Sequence, residues 1–582
     1  MSALSVTCSI LGQPWRWRSL AGEADCAATD LTDQLLMSRG VTRDALAVHR
    51  EPTIRGFMPD PSIFRDMDVA AERLAKAVVE RQSVTIFGDY DVDGATSSAL
   101  LIRLLRALEL NPGSYIPDRL LEGYGPSGDA LAGIAAGGAD LIVTVDCGAQ
   151  AFDALARAAE TGVDVIVVDH HKCTAELPRA LALVNPNRLD EEEGAAHGHL
   201  AAVGVAFLLG AALLRTLRRR GWFESRPEPS LMELLDLVAL GTVADVAALR
   251  GLNRAFVSQG LKIMRKGRNI GLAALARAAG LTKPPTATDL GFALGPRINA
   301  GGRVGKSDLG VRLLVTEDEG EADEIAAELD RLNGERRAIE QMVTEAAEQI
   351  AATQGNRAVA VVAGEGWHPG VIGIVAGRLK ERLGRPTIVI ALDGETGKGS
   401  GRSIAGVDLG AAVLAARDSG LLVAGGGHAM AAGLTIDAAA VDALATFLDD
   451  RLAADVARAR DDRALLFDAV VSARGVAGTL VDALDAAGPY GAGWPAPRVA
   501  TGPVRIIKAD IVGNGHVRAI VAGDDGGSIK TIAFRQATSP LGLALLGAGP
   551  HRRLWLAGRA RRDDWSGGDK AELHIDDAAW AD

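Results

Sequence analysis

Cysteine is scarce in this chain. The 582 residues carry four, Cys8, Cys26, Cys147 and Cys173, and no two form a C-x-x-C pair. A disulfide scaffold is excluded, and a reducing, cytoplasmic setting is the expectation. Cys147 and Cys173 read as small apolar fillers. Long apolar runs are missing too. The longest, Leu200 to Leu214, falls short of the ~20 residues a membrane span needs and reads as a buried helix. The short apolar stretch at the N-terminus runs into Trp15-Arg16-Trp17-Arg18, which does not suit a signal peptide. Nor is there an excess of basic charge, since the formal net charge is −12. That argues against coating nucleic acid through a uniformly basic surface, while leaving room for a local basic groove. The chain shows no repeat of solenoid period and no long low-complexity tract.

What is present is alternation. At ~100–200 residues per domain, a chain of 582 residues divides into about two to four domains. Ser83–Phe87, Asp140–Val145 and Val163–Val168 are short apolar runs rich in β-branched residues, separated by stretches of helical spacing. Continuous apolar runs alternating with helices predict a parallel sheet covered on both faces. From Glu321 to Gln354 the chain is charged, Ala-rich and free of Pro, which predicts a long, largely solvated connector helix. A second α/β pattern begins near Arg357. From about Phe467 short strand-like runs separated by Gly, Asn and Asp suit a small β-barrel.

The acids sit where a parallel sheet would present them. Gly88-Asp89-Tyr90-Asp91-Val92-Asp93-Gly94 follows the first strand, Asp146 the second, and Asp169-His170-His171 the third. Functional crevices of open α/β sheets lie at the carboxyl ends of the strands. Carboxylates with imidazole suit Mn²⁺ or a similar divalent ion. Unpaired carboxylates crowded together raise one another's pKa values unless cations relieve them. Each piece alone has an ordinary explanation, as turn chemistry or a helix cap; their placement after successive strands does not.

The segments GDYDVDGATS, VDCG, VDHH and LGTVADVAAL resemble, in order, the four motifs of the DHH phosphoesterase superfamily, and the chain resembles its RecJ family most. That resemblance implies two ions, Mn²⁺ or Mg²⁺, held by Asp91, Asp93, Asp146, His170 and Asp245, with Asp146 as the bridge and Asp89 a further candidate ligand. Asp146, His170 and His171 are the implied catalytic residues. His171 would contact the scissile phosphate or an outer-shell water, and Asp169 would orient its neighbouring imidazole. Many superfamily members carry His where this chain has Phe87, so one metal site lacks an imidazole. The resemblance covers residues from about 50 to the C-terminus. Gly295–Ala300 with Arg303 resembles a segment lining the substrate path, with Arg297 and Arg303 as candidates to hold DNA phosphates and Asn299 as a further substrate-binding candidate. His368, Ser400, Arg402, Gly426 and His428 resemble DHH-associated substrate motifs, and Arg378 is a weaker candidate. The C-terminal segment resembles an oligonucleotide-binding barrel, whose Tyr490, Trp494, Phe534 and Trp555 read mostly as core. His197 and His199 read as a surface loop. Trp15 and Trp17 read as packing the N-terminal extension onto the first domain.

The expected architecture is α/β: residues 1–60 an N-terminal extension, 61–320 a parallel-sheet DHH domain, 321–355 the connector helix, 356–456 a second α/β, DHH-associated domain, and 457–582 an OB-type β-barrel. The implied activity is metal-dependent 5′→3′ hydrolysis of single-stranded DNA to 5′-mononucleotides, in repair and recombination. A helicase and a single-strand-binding protein are the partners such an enzyme implies. The alternatives are a DHH phosphodiesterase of short oligonucleotides or cyclic dinucleotides, and a non-catalytic DNA-binding relative.

Overall fold

The computed structural model describes residues 3–18, 30–119, 122–549, 551–563 and 570–581; Cys26 lies outside them. The chain forms two compact units. The first comprises Met1–Gly295, Gly310–Asp323 and Ala464–Asp582, and the second Pro296–Leu309 and Glu324–Arg463.

The first unit contains a five-stranded sheet in the order Gly113–Tyr115, Val84–Gly88, Leu141–Val145, Asp164–Val168, Ala182–Val184. Every neighbouring pair is parallel. Val143, Val145, Ile166 and Val168 are fully buried, as strands covered on both faces should be. Register matters most here. Gly88 pairs with Val145, Val145 with Val168 and Val168 with Val184. The next residues, Asp89, Asp146, Asp169 and Asn185, therefore leave the sheet side by side at its carboxyl edge. Leu200–Leu214 falls mostly within the helix Ala202–Arg219, which is buried along nearly all its length. Among the described residues no helix is long and apolar enough to cross a membrane.

The same unit holds a closed barrel. Val499–Val512 pairs with both His516–Gly523 and Arg553–Arg562, and Ser528–Ala533 and Ala571–Trp580 complete the circuit. The paired tryptophans differ from expectation. Trp15–Trp17 is a short strand that pairs with Leu465–Phe467. Trp15 packs among Phe467, Ala500, Ala557 and Ala579 of the barrel region and donates its indole N–H to Asp577 at 3.0 Å. A buried indole needs an acceptor, and the barrel supplies one.

The second unit has a five-stranded sheet ordered Ala424–His428, Ala431–Asp437, Thr396–Arg402, Thr387–Asp393, Ala360–Glu365. Its Gly-rich segments Thr396–Arg402 and Ala424–His428 are strands. A Cβ on Gly397 would meet Ile390 at 2.8 Å, on Gly399 Leu434 at 2.6 Å and on Gly401 Leu409 at 2.7 Å. Alternate glycines thus leave room for larger neighbours on one face. The long helix runs Glu319–Thr353 and is not largely solvated. Val343, Ala347 and Ala351 pack against Val362, Val371 and Val389, and Glu340 is fully buried between Arg336 and Arg378. The charged composition hid one apolar face.

Candidate metal centre

Asp91 caps the helix Val92–Ala107, accepting the N–H groups of Asp93 and Gly94 at 2.9 and 3.1 Å. Asp93, on the first turn, is completely buried and accepts the N–H groups of Ala202 and Val203 at 2.6 and 2.9 Å. Those are the first donors of the helix Ala202–Arg219, which has no side-chain cap of its own. The two N–H groups favour the anion, but burial outweighs them and raises the pKa of Asp93. Asp146 stands in the left-handed region, φ 60°, a conformation uncommon outside glycine and frequent at functional sites. Asp245 ends the helix Leu235–Ala244.

These elements bring three overlapping donor groups together: Asp89, Asp91 and Asp146; Asp93, His170 and Asp245; and Asp146, His170 and His171. Within each, one donor atom per residue lies within 4.8 Å of the others. Asp146 and His170 each belong to two groups. Burial first, then the charge of Asp91, raises Asp89 to about 8 and Asp245 to about 7. Burial and neighbouring carboxylates push Asp93 and Asp146 well above the carboxylate range. Two buried acceptors, Asp89 Oδ1 and His170 Nε2, have no hydrogen-bond partner. Buried acceptors normally have one. Crowded carboxylates, an imidazole lone pair and orphaned acceptors together fit divalent cations.

The surrounding shell is hydrogen-bonded. His170 Nδ1 lies 3.1 Å from the Leu200 carbonyl, which directs Nε2 inward. Asp169 accepts the N–H groups of Ala149, His170 and His171 and meets His171 Nδ1 at 2.7 Å. Burial alone would raise its pKa; the His171 bond and both imidazole charges hold it at about 2. Burial would lower His171, but the bond and charge of Asp169 lift it to about 9. Phe87 is fully buried and stacks on Tyr115 with centroids 5.2 Å apart, so an apolar ring fills the place of the family imidazole.

Three residues went unread in the sequence. The Tyr124 hydroxyl lies 3.1 Å from the Asp146 carbonyl and 3.2 Å from His171 Nδ1. Asn185 donates to the His171 carbonyl at 2.8 Å and Asn187 to that of His170 at 2.6 Å. The glycines around Tyr124 and the Asn-Pro-Asn turn were the available signals. His197 and His199 are half-buried rather than loosely exposed, because Asn187 and Asn253 tie down the Gly198 and His199 carbonyls. Cys147 and Cys173 are buried in the apolar core beside Phe87.

The candidate substrate residues all belong to the second unit. Arg297 pairs with Asp330 at 2.9 Å. Asn299 is half-buried on the helix Gly295–Val304. Arg303 donates to the Gly370 carbonyl at 2.8 Å, and Gly370 N–H donates to His368 Nδ1 at 3.0 Å. Arg402 donates to Ser400 Oγ at 3.1 Å. A Cβ on Gly373 would stand 3.0 Å from that hydroxyl and 3.1 Å from the Arg402 guanidinium. Gly373 lies on the first turn of the helix Ile372–Leu383, whose N-terminus has no side-chain cap. A guanidinium, a hydroxyl and an uncapped helix N-terminus make a place for an anion. Gly426 and the exposed His428 lie on the edge strand. Arg378 is turned to Glu340 at 2.5 Å.

The DHH family, N-terminal domain, matches residues 83–242, the DHHA1 domain 354–454 and the RecJ OB domain 467–577. The single-stranded-DNA-specific exonuclease RecJ of Salmonella typhimurium is 39% identical over 524 residues, covering 88% of this chain and 89% of that protein. The crystal structure of RecJ from Thermus thermophilus with Mn²⁺ superposes with a TM-score of 0.77 at 30% identity, covering 94% of this chain and 75% of that one. Its Mg²⁺ complex gives 0.71 at 29% identity, covering 94% and 74%.

Proposed function

The chain belongs to the RecJ family of DHH phosphoesterases, and on that premise we propose that it removes nucleotides from the 5′ end of single-stranded DNA at the Asp–His centre. It is a metal-dependent exonuclease, a phosphodiester hydrolase that uses Mn²⁺ or Mg²⁺. The observation that carries the reading is the convergence of Asp89, Asp91, Asp93, Asp146, Asp245 and His170, two of whose acceptors, Asp89 Oδ1 and His170 Nε2, have no hydrogen-bond partner. When bound there, divalent cations acidify water and draw charge from phosphate oxygens.

The protein's own groups do the remaining work. Asp146, in two donor groups, would be the carboxylate shared between the ions. Asp93 is fixed by the helix it caps, so its oxygens need no reorganisation. Asp169 keeps His171 protonated at neutral pH, and the imidazolium offers a positive hydrogen bond to the scissile phosphate. Tyr124 holds that ring in place. Arg402, Ser400 and the first turn at Gly373 receive the terminal 5′-phosphate, which sets polarity. Arg297, Arg303, Asn299, His368, Gly426 and His428 contact the following nucleotides.

Release of 5′-mononucleotides from single strands suits repair and recombination in the cytoplasm, with a helicase opening duplexes and a single-strand-binding protein presenting the product. Phe87 gave the only support for a non-catalytic relative, and its burial against Tyr115 explains it without loss of the acids. Asp146→Ala tests the reading. Hydrolysis should fall by at least about a thousandfold, while the melting temperature without metal should change little, because the raised pKa leaves Asp146 protonated and uncharged there. Cleavage near the wild-type rate would sink the bridging assignment.

A further inference from the structure

Two large apolar side chains stand in solvent on segments that adjoin the acid-bearing elements. Phe292 is 83% exposed and Val246 71%. Phe292 lies on a π-helical turn, Leu290–Leu294, whose end residues are fully buried. Such turns are rare and concentrate at functional sites. This turn is packed on the end of the helix that carries Asp245. A Cβ on Gly291 would meet Val243 at 3.4 Å, and one on Gly295 would meet Ala244 at 3.3 Å and Val92 at 3.9 Å. Val92 separates Asp91 from Asp93, and Asp245 follows Ala244.

Val246 is the second oddity. Its N–H bonds the Val243 carbonyl at 3.1 Å, and Ala247 N–H bonds that of Thr242 at 3.2 Å. This is a Schellman ending, with Val246 in the left-handed position, φ 60°. Glycine normally fills that position because a β-branched residue is strained there. Neither feature serves the fold. A glycine at 246 would relax the backbone, and a polar residue at 292 would cost no core.

We propose that Phe292 and Val246 form an apolar platform on which one unpaired nucleobase of the DNA stacks while its strand is held at the metal centre. The inference rests on the proposed function and adds the base-contacting residues to it. A nucleobase is the occupant these features fit: flat, uncharged, apolar-faced, and tethered to the phosphate that cations held by the acids would bind. Stacking on an aromatic tolerates any sequence. It also requires a base that is not paired, so the platform contributes to single-strand preference.

The test crosses deletion of the ring with deletion of the base. Binding of a labelled 20-mer is measured in EDTA, where nothing is hydrolysed, with a tetrahydrofuran abasic unit moved one position at a time. At one position near the 5′ end the abasic unit should weaken wild-type binding about 5- to 150-fold. Phe292→Ala should lose a similar factor on the intact strand and nothing further with the abasic unit at that position. Phe292→Trp should restore both affinity and base dependence, and Phe292→Gln should match Ala. Unchanged melting temperatures establish that the exposed ring is not structural. Wild-type affinity in Phe292→Ala, or a loss that adds in full to every abasic loss, overturns the platform. If wild-type protein hydrolyses single strands in Mn²⁺ and this cycle shows no coupling, the inference alone fails. If wild-type protein hydrolyses none, the underlying reading fails with it.

Discussion

A carboxylate buried among carboxylates is stable only in its protonated form or beside a cation. Asp89 and Asp245 titrate near 8 and 7 in the folded protein, against about 3.9 for an unfolded aspartate. The folded chain therefore holds protons that the unfolded chain releases. This contribution is fully present below about pH 4 and is lost as pH rises through about 8. Without metal, the melting temperature should fall between about pH 5.5 and 8.5. Bound Mn²⁺ should cancel the fall, so the metal-induced shift grows with pH; at a hundred times its Kd one ion adds about 2.7 kcal/mol. Thermal melts at three pH values in EDTA and in Mn²⁺ check this, and a shift that shrinks with pH would contradict it. Asp89, Asp146 and Asp169 were legible in the sequence because each follows a strand directly, whereas Asp245, at the end of a helix, was reached only through its motif. Tyr124 and Asn185 were not. Their roles depend on what the crevice places beside a phenol or an amide, and the flanking glycines and the Asn-Pro-Asn turn signal only a turn, not what it faces.

Elements were legible where one period dominated. The β-branched runs gave the parallel sheet, and regular turn spacing gave the barrel. Glycine at alternate positions in Thr396–Arg402 carries no apolar period of its own, yet it marks a strand whose face takes large neighbours. One reading failed because composition outweighed pattern. The charged helix Glu319–Thr353 looked solvated, yet Glu340 on it is fully buried and paired with Arg336 at 2.8 Å. Removing one partner of a buried pair strands the other charge. Glu340→Ala should therefore destabilise the second unit by about 3–5 kcal/mol, read from its urea midpoint. A loss within about 0.5 kcal/mol would show that the pair is effectively solvated.

For the whole molecule, a net charge of −12 confines DNA contact to selected positive groups. Each phosphate neutralised on a single strand contributes about −0.7 to the slope of log K against log salt. Arg402→Ala should weaken binding of a 5′-phosphorylated strand and flatten that slope by about 0.7. An unchanged slope would remove Arg402 from the phosphate path. The order of sheet, long helix, second sheet and barrel could be read along the chain, but the return of residues 310–323 and 464–582 to the first unit could not. Periodicity reports on neighbours in sequence, and these contacts are made across hundreds of residues.

The most direct test is a time course in Mn²⁺ on one long single strand, labelled at its 5′ end in one sample and at its 3′ end in another, beside its blunt duplex. The account predicts immediate release of the 5′ label as mononucleotide, a 3′ label that persists until late, and a duplex that survives. Early release of the 3′ label, or a duplex degraded as fast as the single strand, would contradict it.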